Sequence, residues 1–259
     1  MGGGRVGMST TANSIQNKVI HGDCLEVMPT LPDKSIDMIL CDLPYGTTAC
    51  KWDTIIPFEP LWKEYKRLIK DNRAIVLFGQ EPFSSFLRIS NLVDYKYDWK
   101  WDKKNGGNPF LVKQRPLIDY EDIVIFNAKS VYNPIIDVKN NYNKIPEGNS
   151  RCEKSDHFGE YRWNNRRNVG YPRAIIKGFV DAPRKKIHPT QKPVALFEYL
   201  IKTYTNEGET VLDNCAGSGT TAIACLNTNR KYILIEQEQK YIDIINKRIS
   251  EHEIQVAIC

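Results

Sequence analysis

Residues 38–46 constrain the fold more than any other stretch of the chain. Met38-Ile39-Leu40-Cys41 is an unbroken apolar run that ends abruptly on Asp42-Leu43-Pro44-Tyr45-Gly46. A strand with no polar alternation is covered on both faces. In an open α/β sheet, the side chains at its end stand at the edge where ligands bind. Ala74-Ile75-Val76-Leu77-Phe78 is a second such run, and Thr210-Val211-Leu212-Asp213 is another strand that closes on an acid. Further strands are expected at Lys18–Gly22, Ser35–Cys41, Tyr95–Trp101, Ile123–Phe126 and Tyr232–Glu236. Helical spacing of apolar residues falls between them. It predicts helices through Leu25, Val27, Met28 and Leu31, and over Leu61–Leu68, Pro82–Leu92, Pro193–Thr205, Thr221–Leu226 and Tyr241–Ile249. Strands alternating with helices predict an α/β fold with a doubly wound, mostly parallel sheet.

The 259 residues suffice for one large domain with an insertion. Residues 1–17 are glycine-rich and polar and are taken as a disordered or non-native N-terminus, outside the fold argument. The regular domain is expected from two segments, 18–129 and 188–252. Residues 46–60 and the basic stretch Lys103-Lys104-Asn105-Gly106-Gly107-Asn108-Pro109 are expected to be loops. Between them the two segments enclose 130–187, rich in Asn, Arg and aromatic residues, which is too long for a structureless loop and is expected to be a separate subdomain or long excursion. Its charge is distinctive. From Arg151 to Lys186, ten Lys/Arg face four acids, a local +6 in a chain of net +5, so the remainder is slightly acidic. Localised basicity is the electrostatic footprint of a polyanion site. The seven cysteines are odd in number and form no C-x-x-C pair, and the four histidines are scattered. Reduced cytosolic thiols and no metal site are expected. No apolar run reaches the roughly 18 residues of a membrane span.

Two motifs carry chemistry. Asp42-Leu43-Pro44-Tyr45 offers a charged acceptor, a carbonyl beside a rigid proline and a flat ring, which suits a planar base bearing an exocyclic amine. Asp213 leads into Cys215-Ala216-Gly217-Ser218-Gly219-Thr220-Thr221, a glycine turn that opens a helix, where backbone can approach a nucleoside ligand and a helix N-terminus favours an anion. The third glycine of the dinucleotide fingerprint is missing, which favours a smaller anion such as a carboxylate over a pyrophosphate. Glu236 ends the next strand, 19 positions after Gly217, where an acid can hold two ribose hydroxyls.

With these motifs in this order the chain resembles the S-adenosylmethionine-dependent DNA amino-methyltransferases of the β class, over roughly residues 18–250. The resemblance implies a Rossmann-like methyltransferase sheet with an inserted DNA-recognition region, and S-adenosylmethionine as cofactor. It implies that Asp42, Leu43, Pro44 and Tyr45 form the methyl-acceptor clamp. Asp23 and Cys24 match the segment that contacts the cofactor adenine. Thr190, Gln191 and Lys192 match the stretch that closes the methionine end. Asp213, the turn from Cys215 to Thr221, and Glu236 hold the rest of the cofactor. Two positions depart from the family pattern: Leu43 replaces the usual first proline, and Cys215 stands where phenylalanine is common.

The implied reaction is methyl transfer to the N6 amine of an adenine flipped out of double-stranded DNA. Cytosine-N4 methylation uses the same amine chemistry and often has serine at the first clamp position. Carbon-5 methylation of cytosine would need a nucleophilic cysteine after a proline, and no Pro-Cys pair occurs. A non-catalytic nucleic-acid-binding protein would not need both Asp42 and Tyr45, and a nicotinamide-dependent oxidoreductase would want the complete glycine fingerprint. Arg162, Trp163, Asn165, Arg166 and Arg167 mix base-reading and phosphate-binding side chains, and Lys103 and Lys104 can add phosphate contacts. The family resemblance admits a homodimer, a cognate restriction endonuclease, and a place in the cytoplasm of a bacterial or phage-infected cell.

Overall fold

The computed structural model describes residues 16–47, 53–107, 112–136, 152–155, 159–162, 170–180 and 191–258. β2 (Met38–Cys41), β3 (Ile75–Gly79) and β9 (Thr210–Asp213) are buried at every position. They sit side by side in an eight-stranded sheet of order β1-β10-β9-β2-β3-β5-β4-β8. β1 (Lys18–His21), β10 (Lys231–Glu236), β9, β2 and β3 are parallel neighbours. β5 (Ile118–Phe126) and β4 (Tyr95–Gly107) then pair antiparallel, and the short β8 (Ile175–Ile176) lies parallel to β4. The sheet is therefore α/β and mostly parallel, as expected.

Alternation along the central strands sends side chains to two separate cores. Met38, Leu40, Val76 and Phe78 pack with α4 (Val194–Tyr204) and α5 (Thr220–Asn227). Ile39, Cys41, Ile75 and Leu77 pack beneath α1 (Cys24–Val27), α2 (Phe58–Leu68) and α3 (Phe83–Ser90). α6 (Gln239–Ile258) brings Ile245 into the first core. Fully burying an aliphatic side chain is worth about 1.5–3 kcal/mol, so these two layers hold the central strands in register.

Several elements differ from expectation. The helix after Asp23 is a single turn that tightens into a 3-10 turn at Met28–Thr30, where Pro29 cannot donate. α2 begins at Phe58, because Pro60 falls in the first turn, where no backbone donor is needed. The basic stretch from Lys103 to Gly107 is strand, not loop: β4 runs on to Gly107, which pairs with Ile118. α6 continues to Ile258.

The chain forms two compact units, Met1–Asn133 with Ile175–Cys259, and Pro134–Ala174. Within the second, β6 (Cys152–Ser155) and β7 (Gly159–Arg162) form an antiparallel pair. Cys24, Cys41 and Cys225 are buried free thiols, and Cys215 is a half-buried one. Among the described residues, no cluster of potential metal ligands occurs and no helix is long and apolar enough to cross a membrane.

Candidate active site

Strand order turns sequence motifs into neighbours. β9 and β2 pair in parallel, Leu212 opposite Ile39, so Asp213 and Asp42 emerge at the same sheet edge. β10 delivers Glu236 beside them, and β1 delivers His21, opposite Glu236, with Gly22 and Asp23 following. β5 runs the other way, with Asp122 opposite Gly79 of β3, so its early residues arrive at the edge where β2 and β3 finish. A cleft of about 1240 Å³ lies along this edge. It is lined at one end by Asp23, Cys24, Cys215 and Glu236, and at the other by Asp42, Tyr45, Lys103 and Glu121.

The Asp42 end is a network of charged groups. Asp42 accepts the Tyr45 hydroxyl on Oδ1 at 2.7 Å and the Lys192 ammonium on Oδ2 at 2.8 Å. Glu121 Oε1 lies 2.9 Å from both Tyr45 Oη and Lys192 Nζ. Lys103 Nζ stands 3.6 Å from the other Glu121 oxygen. Burial raises the Asp42 carboxyl and Glu121 raises it further, against the pull of Lys192. Burial also pushes the Glu121 carboxyl up, but Lys192 and Lys103 together hold it below the usual range. Lys192 loses hydration in this site, yet Asp42 and Glu121 more than compensate and keep it firmly protonated. Its ammonium also lies 5.2 Å from the centre of the Phe78 ring. Tyr45 is stacked on Phe83, with ring centroids 5.1 Å apart. Asp53 accepts the backbone N–H groups of Gly46 and Thr47, which fixes the turn that follows the tetrapeptide. The Leu43 side chain is 4% exposed, packed in the core below, so residue 43 offers the cleft its main chain. Pro44 lines the cleft beside it.

The other end is built from backbone and acids. Glu236 Oε2 accepts the Gly217 N–H at 2.8 Å and Oε1 accepts the Glu238 N–H at 2.9 Å, leaving second lone pairs for a ligand. Burial raises the Glu236 carboxyl. Asp23 caps α1 through the Leu25 N–H at 2.7 Å and also lines the cleft. Asp213 accepts the Thr221 hydroxyl and the Cys215 N–H, and burial pushes its carboxyl up to about 7. Tyr65 donates to Asn214 at 2.6 Å from below.

Most of the residues expected to bind cofactor converge here: Asp23, Cys24, Gln191, Lys192, Asp213, Cys215, Ala216, Gly217, Ser218, Thr220 and Glu236 all line the cleft. Gly219 and Thr221 do not. Gly219 has φ +75°, and a Cβ there would lie 2.8 Å from Ile245 of α6, so its glycine serves backbone conformation and helix packing rather than ligand approach. Thr221 is buried and holds Asp213. Lys192 pairs with Asp42 and Glu121 and Lys103 with Glu121, at the other end of the cleft from Glu236, whereas Lys104 is exposed. Thr190, Trp163, Asn165, Arg166 and Arg167 lie outside the described residues, and Arg162 is described only as backbone of β7. Glu121 does not stand out in the sequence. Its only sign is an acid pair, Glu121-Asp122, directly before the apolar run Ile123–Phe126.

The cleft suits S-adenosylmethionine. Glu236 can accept ribose hydroxyls, Cys24, Leu25 and Ala216 offer surface for a base, and the start of α5 favours the amino-acid carboxylate. The DNA methylase family matches residues 36–247. Type II methyltransferase M.HinfI of Haemophilus influenzae is 29% identical, covering 94% of this chain and 71% of that protein. Type II methyltransferase M2.MboI of Moraxella bovis is 26% identical, covering 90% of this chain and 87% of that one. Among solved structures, the M1.HpyAVI–SAM complex superposes with a TM-score of 0.60 at 26% identity, covering 90% of this chain and 98% of that chain. The cytosine-N4-specific PvuII DNA methyltransferase shares the fold, with a TM-score of 0.59 at 16% identity over 90% and 92% of the two chains. The family match spans both ends of the cleft, from the strand that carries Asp42 past the strand that carries Glu236, and the chain accordingly belongs to the S-adenosylmethionine-dependent amino-methyltransferases of DNA.

Proposed function

We propose that this DNA methyltransferase modifies the N6 amine of an adenine flipped out of a specific double-stranded DNA sequence. The observation that carries the reading is the Asp42 carboxylate at the cleft, ion-paired to Lys192 and placed beside Tyr45. The adenine amine is a weak nucleophile because its lone pair is delocalised into the ring. Donating its two protons to the Asp42 carboxylate and the Leu43 carbonyl draws the nitrogen toward tetrahedral geometry and localises that pair. Bound S-adenosylmethionine supplies an electrophilic methyl on a sulfonium. Tyr45 presents a ring for the extruded base, a contact worth about 1–3 kcal/mol. The protein contributes positioning and fixed charge, with no covalent enzyme intermediate.

An acid at the first clamp position favours adenine, and its strength as an acceptor depends on Lys192 keeping it ionised. The basic stretch from Arg151 to Lys186 is the surface proposed to grip the phosphates and read the bases, with Lys103 and Lys104 as additional contacts. A homodimer, a cognate restriction endonuclease and a cytoplasmic location are proposed with this reading, the endonuclease because relatives are named type II methyltransferases.

Methyl-labelled cofactor incubated with DNA, followed by nucleoside analysis, tests the proposal. Label in N6-methyladenine, lost in Asp42→Ala while cofactor binding persists, is the expected result. Label in N4-methylcytosine would reassign the base, and transfer by Asp42→Ala would remove the mechanism.

A further inference from the structure

Neither donor to Asp42 serves it alone. The Tyr45 hydroxyl lies 2.7 Å from Asp42 Oδ1 and 2.9 Å from Glu121 Oε1. A phenol carries one proton, so Tyr45 can satisfy only one of these carboxylates at a time. Lys192 carries three protons and reaches both, at 2.8 Å and 2.9 Å. Glu121 is 5% exposed and comes from β5, whereas the other three groups come from the loop after β2 and the segment before α4. A buried acid held by two lysines is costly to place.

Each Asp42 oxygen already accepts one strong, charge-assisted or short bond, which draws negative charge from the lone pair left for a target amine and weakens it as an acceptor. Glu121 supplies an alternative. Rotating the Tyr45 O–H moves its proton from Asp42 to Glu121 with no heavy atom displaced, and a small shift of Lys192 favours the same partner. We propose that Glu121 is a positioning residue that frees Asp42 for the target amine, by receiving the Tyr45 hydrogen bond and sharing Lys192 as the base docks. This inference rests on the reading of Asp42 as the amine acceptor. The charges are arranged for it. Lys103 on β4 adds a second cation behind Glu121, so the pair of carboxylates is balanced by a pair of ammonium groups. The groups that face Asp42 are Lys192, Glu121, Tyr45, Cys41 on its own strand and Asp213 on β9.

Glu121→Gln keeps the shape and a carbonyl acceptor but removes the charge. Asp42 then becomes the sole anion for Lys192 and is held more tightly. Maximal methyl transfer should fall roughly 10- to 100-fold, the effect of losing one charged hydrogen-bond partner, while cofactor affinity stays within a few-fold. The pH dependence separates this from simple damage to the site. Asp42 accepts the amine only when ionised, so activity is lost as pH falls through its pKa. Removing the neighbouring negative charge lowers that pKa, and the acid limb of the pH profile moves to lower pH. Carbon-13 NMR of the Asp42 carboxyl in the protein alone, without cofactor or DNA, should show the same downward shift. Glu121→Asp, which keeps the charge, should return the limb to its original place and recover part of the rate. A wild-type rate with an unmoved Asp42 titration in Glu121→Gln overturns the proposal. So does a loss of rate with the acid limb in place, which marks Glu121 as structural. If wild-type protein transfers no methyl to DNA although the Asp42 titration still moves, the functional reading fails and the coupling of the carboxylates stands.

Discussion

Asp213 is 3% exposed, and it accepts from Thr221 and the Cys215 N–H. Burial dominates its energetics and lifts the carboxyl from 3.8 to about 7. Between those values the native protein keeps a proton that the unfolded chain has lost, so stability falls as pH rises through this window. Asparagine at 213 cannot titrate. Thermal melts of Asp213→Asn and the natural protein, compared from pH 4 to 8, should show the variant gaining relative stability as pH rises, by about 1.4 kcal/mol for each pH unit crossed inside the window. A difference independent of pH would mean that Asp213 is ionised throughout. At this scale the sequence reveals residues that end parallel strands, since Asp42, Asp213 and Glu236 each close an apolar run. It does not reveal Glu121. That residue reaches the cleft because β5 runs antiparallel, so its contribution comes from the start of a strand, where a buried acid looks like any polar flank. Lys192 is visible only as part of a polar stretch, and its pairing with Asp42, 150 positions earlier, exists only in the fold.

Elements were most legible where burial was complete. β2 and β3 are continuous apolar runs because sheet neighbours and helices cover every side, and β9 is buried at every position although it begins on Thr210 and ends on Asp213. Boundaries were less legible where another element decides them: β4 extends through Lys103 and Lys104 because Ile118 on β5 offers Gly107 a partner, whatever the local glycines suggest. The turn between β9 and α5 shows the same dependence. Gly219 looks like a ligand-facing glycine, yet its Cα faces Ile245, and Arg248 of α6 donates to the Ser218 carbonyl and hydroxyl. The turn is thus clamped to α6 through Gly219 and Ser218. Gly219→Ala would force a left-handed alanine and displace a buried isoleucine, costing about 2 kcal/mol or more. Calorimetry should register a melting temperature lower by roughly 4–8 °C. Binding of S-adenosylhomocysteine to the folded variant should change much less. Weak binding at unchanged stability would place residue 219 in the cleft after all.

Across the whole molecule, strand order converts a chain in which Asp42 and Asp213 stand 171 positions apart into one continuous cleft. The segment between the two motifs carries the positive charge. Negative and positive charge are therefore separate in sequence: Asp42, Asp213 and Glu236 stand at strand ends, and the stretch from Arg151 to Lys186 carries the local +6. DNA supplies the opposite charge along its backbone, and each phosphate neutralised releases condensed counterions. The logarithm of affinity then falls with the logarithm of salt concentration, with a slope of about 0.9 per contact. Replacing Arg166 and Arg167 by Glu removes two candidate contacts and adds repulsion. Binding of double-stranded DNA should weaken, most strongly at low salt, and the slope should flatten by roughly 2. Cofactor affinity should be unchanged, because the cofactor contacts are assigned to Asp23, the turn from Cys215 to Thr220 and Glu236 rather than to the basic stretch. Fluorescence anisotropy across a salt series, alongside calorimetric titration with S-adenosylhomocysteine, measures the two effects separately. A salt slope equal to that of the natural protein would take the phosphate grip away from this basic stretch and leave Lys103, Lys104, Lys113 and Arg115, on or beside β4 and β5, as the next candidates.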